Sequence, residues 1–398
     1  MQESSSSHEN QQQDQISIGE YFVVFGFMSF SILIHLFLPL PSLYVFKAYL
    51  IYFVLQYAMA RFLPGKRVKG LPLEDGTVLE YNCNGLQAYL LTLALFFTGG
   101  YLGWWRYSIV YDHLLEFVAV TSIFHWCYWI IVFIKGRMLK KREYNDGLLR
   151  EIWLGAERNP RILGVDCKLF FDGRPSLLTW VVVAFSHASV QYEKYGTIST
   201  PMAMYLISSF LYMLDFFVNE DQFITGFEIY QERFGFMLCW GNFVWMPFVC
   251  TAQAYYLIEW SELPLWGIIA VSLLWVFGYI VARLSNAQKD KFKRDPNAPF
   301  LGIKPKYIET DQGRKVLVNG FWGLSRHPNY FGELANSLSF GLMCGFDKGI
   351  FPYSYSIFIW ALLFTRYERD HRKMKQKYGK SFDRYCSMVP YKIIPYVY

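Results

Sequence analysis

Apolar stretches long enough to cross a bilayer recur along almost the whole of this chain, and no other feature constrains its fold as strongly. They fall near 20–40, 43–60, 87–106, 114–134, 178–194, 201–218, 235–258, 264–283, 331–346 and 350–366. That makes about ten segments of roughly 17–24 residues, the length an α-helix needs to span about 30 Å of hydrocarbon. The expected fold is therefore an all-α, polytopic membrane protein. Composition agrees: 54% of the residues are apolar, 20% aromatic and only 18% charged, more oily surface than a soluble chain of 398 residues can bury. The segments at 178–194 and 331–346 are the least uniform, because they carry His187, Gln191 and Glu333, Asn336.

Charge orients the bundle. The basic loops Arg61 to Lys69, Lys135 to Arg150, Lys289 to Arg326 and Arg366 to Lys392 follow the second, fourth, eighth and tenth segments. All even-numbered loops then share one face with both termini, and the positive-inside rule makes that face cytosolic. The odd-numbered loops, such as Pro39 to Ser42 and Glu259 to Pro264, are short and poor in Lys and Arg. One missed span would scatter the basic loops over both faces, so their regularity supports the count independently.

Residues 1–18 include a Ser/Gln/Asn-rich tail without apolar periodicity, which is expected to be disordered, and 19–398 read as a single transmembrane domain. The first apolar run has no basic flank or small-residue cleavage site, so it reads as a span and not as a cleaved signal. Seven scattered cysteines show no CxxC or metal-type spacing; packing is their expected role, and no metal site is expected. The formal net charge of +6 follows from the cytosolic loops and anionic headgroups, so no nucleic-acid partner is inferred.

Polar residues that are expensive near lipid form three groups. Lys289 and Lys293, within Asn286 to Arg294, lie one helical turn apart; the spacing serves lipid phosphates and a phosphate-bearing ligand equally. Trp322, Arg326, His327, Asn329 and Tyr330 surround Pro328. Trp, Tyr and Arg there can be interfacial anchors, but Asn329 and Arg326 are poor lipid neighbours and Pro328 frees backbone groups, which favours a ligand site. The stretch from Arg366 through Asp370, Tyr378 and Tyr385 to Pro390 opens on an i, i+4 ion pair. It follows the last span as a long polar, aromatic tail able to fold back as a cytosolic lid. No Rossmann GxGxxG or P-loop occurs, and HExxH and GxSxG are absent, so a nucleotide would be held another way and zinc proteases and serine hydrolases are excluded. His125 and His187, alone in apolar spans, read as packing residues bonded to a neighbouring helix.

From about Gly155 onward the chain resembles the sterol reductase family, which also includes the lamin B receptor. The resemblance is carried by Gly155-Ala156-Glu157-Arg158-Asn159-Pro160-Arg161, Lys168 to Pro175, Gln191-Tyr192-Glu193, Asn219-Glu220, Arg233 to Leu238, Asn286 to Arg294, Trp322 to Glu333, Tyr385, and Val389 to Tyr396, in that order. It implies NADPH as cofactor, in a pocket built mainly from 285–398. Its contacts would fall on Lys289, Lys293, Leu317, Trp322, Asn329, Tyr330, Arg366, Asp370, Met374, Tyr378 and Tyr385. Two departures stand out: Lys293 occupies a position usually Arg, which keeps the charge but loses the bidentate fork, and Glu228 one usually Asp.

The resemblance further implies reduction of a ring or side-chain double bond in a sterol intermediate. Arg326 to Tyr330 and Phe171 to Pro175 look most similar to delta-14 reductases, with delta-7 and delta-24(28) reduction as alternatives. An isolated alkene is a poor hydride acceptor, so a proton must arrive first and hydride second. The expected acid is Tyr385 with a carboxylic acid from Glu220 or Glu228; Asp370 and Glu193 are further candidates. The sterol would enter sideways from the bilayer and NADPH from the cytosol, in the endoplasmic reticulum and the nuclear envelope continuous with it; oligomeric state is left open. A prenylcysteine carboxyl methyltransferase shares an RHPxY-like stretch but lacks the Asn159-Pro160-Arg161 and Phe234 to Met237 blocks. A scaffold of the lamin B receptor kind would need a chromatin-binding domain, and only about twenty residues precede the first span.

Overall fold

The computed structural model describes residues 18–73, 76–139, 144 and 147–398. The tail expected over 1–18 lies outside them up to residue 17, as does much of the basic stretch between 140 and 146. The chain divides into two compact units, Met1–Val190 with Ser209–Thr251, and Gln191–Ser208 with Ala252–Tyr398.

Helices dominate both units. Among the described residues, four are long and apolar enough to cross a membrane: Leu43–Phe62, Leu114–Arg137, Thr200–Val218 and Leu265–Arg294. Their ends follow local chemistry. The first begins where Ser42 Oγ accepts the Val45 N–H at 3.3 Å, and it stops at Leu63, whose extended backbone is what the following Pro64 requires. Other expected spans fall on shorter helices, namely Gly85–Tyr101 and Thr179–Tyr195 of 17 residues each and Pro328–Leu342 of 15.

The segment expected as one helix over 235–258 is interrupted. Phe236–Trp240 is α-helical, Gly241–Val249 is π-helical and Ala252–Tyr256 is α-helical again. A second π-helical stretch, Asp172–Leu178, precedes Thr179–Tyr195. Each contains a proline, Pro247 or Pro175, whose ring crowds the preceding turn and which has no N–H to donate; the wider π turn relieves both problems. The two stretches are joined by a hydrogen bond from Asn242 Nδ2 to Asp172 Oδ1.

The first unit's core is largely aromatic, with Tyr128 and Phe171 ring centroids 4.5 Å apart and Phe171 and Phe243 4.7 Å apart. Beside it Lys168 is fully buried. Its ammonium donates to the carbonyls of Glu228, Ile229 and Glu232 at 2.8, 2.6 and 2.8 Å, which satisfies all three of its N–H donors.

In the second unit Leu265–Arg294 and Pro328–Leu342 approach until their backbones nearly touch. A Cβ on Gly332 would lie 2.5 Å from Ala282 N and 2.6 Å from Gly278 O; one on Gly278 would lie 2.6 Å from Asn336 N. Glycine is the residue that permits this distance. Ser354–Met388 packs on Pro328–Leu342, through Ser356 Oγ donating to Ser337 O at 2.7 Å and the Trp360 indole donating to Leu334 O at 3.1 Å. This helix breaks at Gly379, where φ is +46° and ψ −121°.

The all-helical expectation needs one correction. Among the described residues three short antiparallel hairpins occur: Lys66–Lys69 with Glu80–Cys83, Arg161–Ile162 with Val165–Asp166, and Tyr307–Glu309 with Lys315–Leu317. The third turns through Gly313 at φ +72° and buries Ile308 and Leu317, so a brief alternation in a polar loop was enough to pair strands.

Candidate functional site

The second unit gathers most of the residues singled out by sequence. Leu265–Arg294 runs past the expected span end at 283, because a helix satisfies its own backbone hydrogen bonds in water as in lipid. It therefore carries Lys289 and Lys293, one turn apart. The Lys289 ammonium sits 4.1 Å from the centre of the Trp322 ring, a cation–π distance. Trp322 is held in turn by its indole N–H to Ser285 O at 2.8 Å. Gln288 fixes the approach to it: Oε1 accepts the Phe321 N–H at 3.0 Å and Nε2 donates to Asn319 O at 3.3 Å. Gly320, at φ +65°, leaves the space for that amide, since a Cβ there would meet Gln288 Nε2 at 2.1 Å. Leu317, on the last hairpin strand, packs with Phe292 and Trp322.

Pro328–Leu342 opens with His327 at its N-cap and Pro328 in its first turn. Two atoms there are sealed from solvent without a hydrogen-bond partner among the described residues, Asn329 Oδ1 and His327 Nδ1. A buried amide oxygen without a donor is costly, and it fits a site that takes up a polar ligand. Burial pushes His327 down to about 3, with the positive charges of Lys289, Arg326 and His371 adding to the effect, so the imidazole is neutral at pH 7. Its ring lies 4.7 Å from Tyr330.

Ser354–Met388 supplies the other wall. Asp370 lies in the field of Arg369, Lys373, Arg366 and Lys289; burial raises its pKa and these cations oppose the rise. Beyond it, Met374 and Tyr378 pack against Ile308, Phe382, Tyr385 and Val389. Tyr385 is 6% exposed, and burial keeps its phenol well above the usual range and so protonated.

The two carboxylic acids belong to the first unit. Glu220, 4% exposed, opens the short helix Glu220–Ile224, and its Oε2 accepts the Gly85 N–H at 2.8 Å, capping the N-terminus of Gly85–Tyr101. Burial raises its pKa, while the Gly85 N–H and Arg174 pull it down. Glu228 lies on Phe227–Tyr230, whose backbone is the one gripped by Lys168.

The Arg326 guanidinium donates to Cys386 Sγ and to Pro390 O. Nothing in local sequence pairs Arg326 with carbonyls more than sixty residues downstream.

Residues 9–398 match the family described as Ergosterol biosynthesis ERG4/ERG24. The chain is 38% identical over 360 residues to a Delta(14)-sterol reductase of Methylotuvimicrobium alcaliphilum, covering 90% of this chain and 84% of that one. It is 35% identical over 366 residues to a Delta(14)-sterol reductase of Arabidopsis thaliana, with 90% and 97% covered. A 7-dehydrocholesterol reductase of Xenopus laevis is 34% identical over 364 residues, with 87% and 77% covered.

Proposed function

The chain belongs to the ERG4/ERG24 sterol reductase family, and from that premise we propose that it reduces the delta-14 double bond of a sterol biosynthesis intermediate with NADPH as reductant. The observation that carries the cofactor assignment is the grouping of a cation pair, an aromatic face and an unpartnered buried acceptor in one unit: Lys289 and Lys293, Trp322, and Asn329 Oδ1. Lys289 and Lys293 would neutralise phosphate, and Trp322 would offer a stacking face. Asn329 Oδ1 would accept from an amide donor, and Leu317, Tyr330, Arg366, Asp370, Met374, Tyr378 and Tyr385 would line the remainder. The choice of delta-14 follows the names of two relatives at 38% and 35% identity; the delta-7 alternative rests on a relative at 34%.

NADPH held by these residues would supply the hydride for one carbon of the alkene. The other carbon takes a proton, which we assign to Tyr385, a buried phenol packed with Met374, Tyr378 and Phe382 that carries its proton at neutral pH. Glu220 and Glu228, on the first unit, are the carboxylic acids proposed as the other proton sources. Around this chemistry we infer a single ten-span domain with the cofactor side cytosolic, taking sterol from the bilayer of the endoplasmic reticulum and the adjoining nuclear envelope.

The test is to incubate the purified or microsomal protein with NADPH and, separately, with delta-14, delta-7 and delta-24(28) sterols, and to read products by mass spectrometry. Reduction of the delta-14 substrate alone supports the proposal. Reduction of another alkene moves the specificity, and no NADPH binding with no product overturns the reading. Lys293→Ala is expected to raise the Michaelis constant for NADPH about tenfold with sterol binding intact, as loss of one phosphate contact predicts.

A further inference from the structure

The chain places a buried arginine where it can tie two segments of the proposed cofactor pocket together. Arg326 is 7% exposed and lies between Trp322 and Asn329 in sequence. Its Nη2 donates to Pro390 O at 3.0 Å, its Nε reaches Tyr391 O at 3.4 Å and its Nη1 donates to Cys386 Sγ at 2.9 Å. Nη1 also lies 3.4 Å from His371 Nδ1, and the guanidinium carbon is 5.7 Å from the centre of the Tyr367 ring. The backbone repeats the link: Arg326 N–H donates to Tyr391 O at 2.9 Å and His327 N–H to Lys392 O at 3.1 Å.

The far side of this link is the part of the chain that needs holding. After the break at Gly379 the last turns of Ser354–Met388 double back, and they carry Tyr385 next to Cys386. The residues after them fold on themselves, with the N–H groups of Lys392, Ile393 and Ile394 all donating to Tyr398 O at 2.8, 2.9 and 3.1 Å. Lys392 Nζ and Tyr398 Oη lie 3.0 Å apart, and Tyr398 Oη lies 3.0 Å from Glu368. A preformed knot of this kind can be seated as a body by gripping its first residues, and Pro390 and Tyr391 are those residues.

We propose that Arg326 is a positioning residue that seats the C-terminal lid on the cofactor pocket, fixing Tyr385 relative to Trp322 and Asn329. The inference rests on the assignment of that pocket to NADPH. The clamp depends on the planar fork of a guanidinium, which reaches a thiol and two carbonyls at once; an ammonium of equal charge is a single point. Charge alone is therefore insufficient, and Arg326→Lys fails in the same way as Arg326→Ala.

The test reads the lid directly, without cofactor. Cys386 is labelled in the detergent-solubilised full chain with a bulky water-soluble maleimide, and the modified peptide is quantified by mass spectrometry, which separates it from exposed Cys127. Burial raises the Cys386 pKa and Arg326 lowers it, so rates are compared at equal thiolate fraction, where both variants are expected to label Cys386 about tenfold faster than the parent. Millimolar guanidinium is expected to slow labelling of Arg326→Ala towards the parent rate. In turnover assays the Michaelis constant for NADPH rises about tenfold in both while that for sterol stays within about twofold. If Arg326→Ala does not fold, Arg326→Lys carries the test. Parent-like labelling and NADPH dependence in Arg326→Lys overturn the clamp. If the parent chain turns over no sterol, the functional reading falls, and the labelling still decides whether Arg326 holds the lid.

Discussion

Replacing Gly332 with alanine tests whether the helix pair at the heart of the second unit sets the geometry of the pocket. The added Cβ would sit 2.5 Å from Ala282 N, and ordinary contact begins at 3.4 Å, so the helices must part by about 0.9 Å. Both obstructing atoms, Ala282 N and Gly278 O, are backbone and cannot rotate away. Overpacking of this kind costs about 1–3 kcal/mol, against which the better helix propensity of alanine returns about 1 kcal/mol. The net loss of stability is therefore modest, about 0–2 kcal/mol. Turnover suffers more, because Trp322 hangs from Ser285 O, one turn beyond Ala282, and a displacement near 1 Å in a positioned group costs about a hundredfold. The assay is a thermal unfolding curve and a steady-state rate on the same preparation. Gly26→Ala is the control, since a Cβ there meets nothing within 4 Å and alanine is expected to be neutral or slightly stabilising. If Gly332→Ala melts and turns over like Gly26→Ala, the helices are not in backbone contact and the reasoning fails.

Other perturbations reach different parts of the fold. Gly379→Ala forces an L side chain into φ +46°, ψ −121°, at a cost of about 1–3 kcal/mol; the expected result is a raised Michaelis constant for NADPH and faster proteolysis after Lys380. Lys168→Met leaves three carbonyls without a donor and is expected to destabilise the protein by about 3 kcal/mol or more, read as early loss of monodispersity on heating. His327 gives a pH dependence. Its folded pKa is depressed to about 3 from 6.5, so its contribution is whole above pH 6.5 and declines as pH falls towards 3, by up to about 1.4 kcal/mol per unit. Melting curves between pH 7 and 5 are expected to fall more steeply for the parent than for His327→Gln; parallel curves would discount the buried imidazole.

Hydropathy located the helical segments well, because the cost of exposing apolar surface repeats at the scale of a span. It could not say where a helix ends beyond lipid, as Leu265–Arg294 illustrates, since no energetic boundary for the backbone coincides with the headgroups. Nor did it foresee the π-helical stretches around Pro175 and Pro247, where the outcome depends on which neighbouring carbonyls are free. In the site, Lys289, Trp322, Tyr378 and Tyr385 were legible as residues ill suited to lipid and Met374 only through the family resemblance, whereas the contact of Lys289 with Trp322 and the packing of Met374, Tyr378 and Tyr385 were not. The hydrogen bonds of Arg326 were not legible, because two of its partners are backbone carbonyls, and a carbonyl leaves no mark in sequence. Gln288 went unremarked for a similar reason: its importance comes from the loop at Asn319 to Phe321 that it anchors.

The helix Leu265–Arg294 is one unbroken rod of 30 residues, about 45 Å long, against a hydrocarbon thickness of about 30 Å. Its apolar length is long enough to cross a membrane, and its last turns bear Lys289 and Lys293, with no hinge between. A rod of this kind answers a thinner or thicker bilayer by tilting, and tilt swings its far end the most. The grip on a phosphate-bearing cofactor would thereby become a function of membrane thickness, so that the same polypeptide reconstituted in short-chain and long-chain lipids would differ in cofactor affinity before any residue is changed.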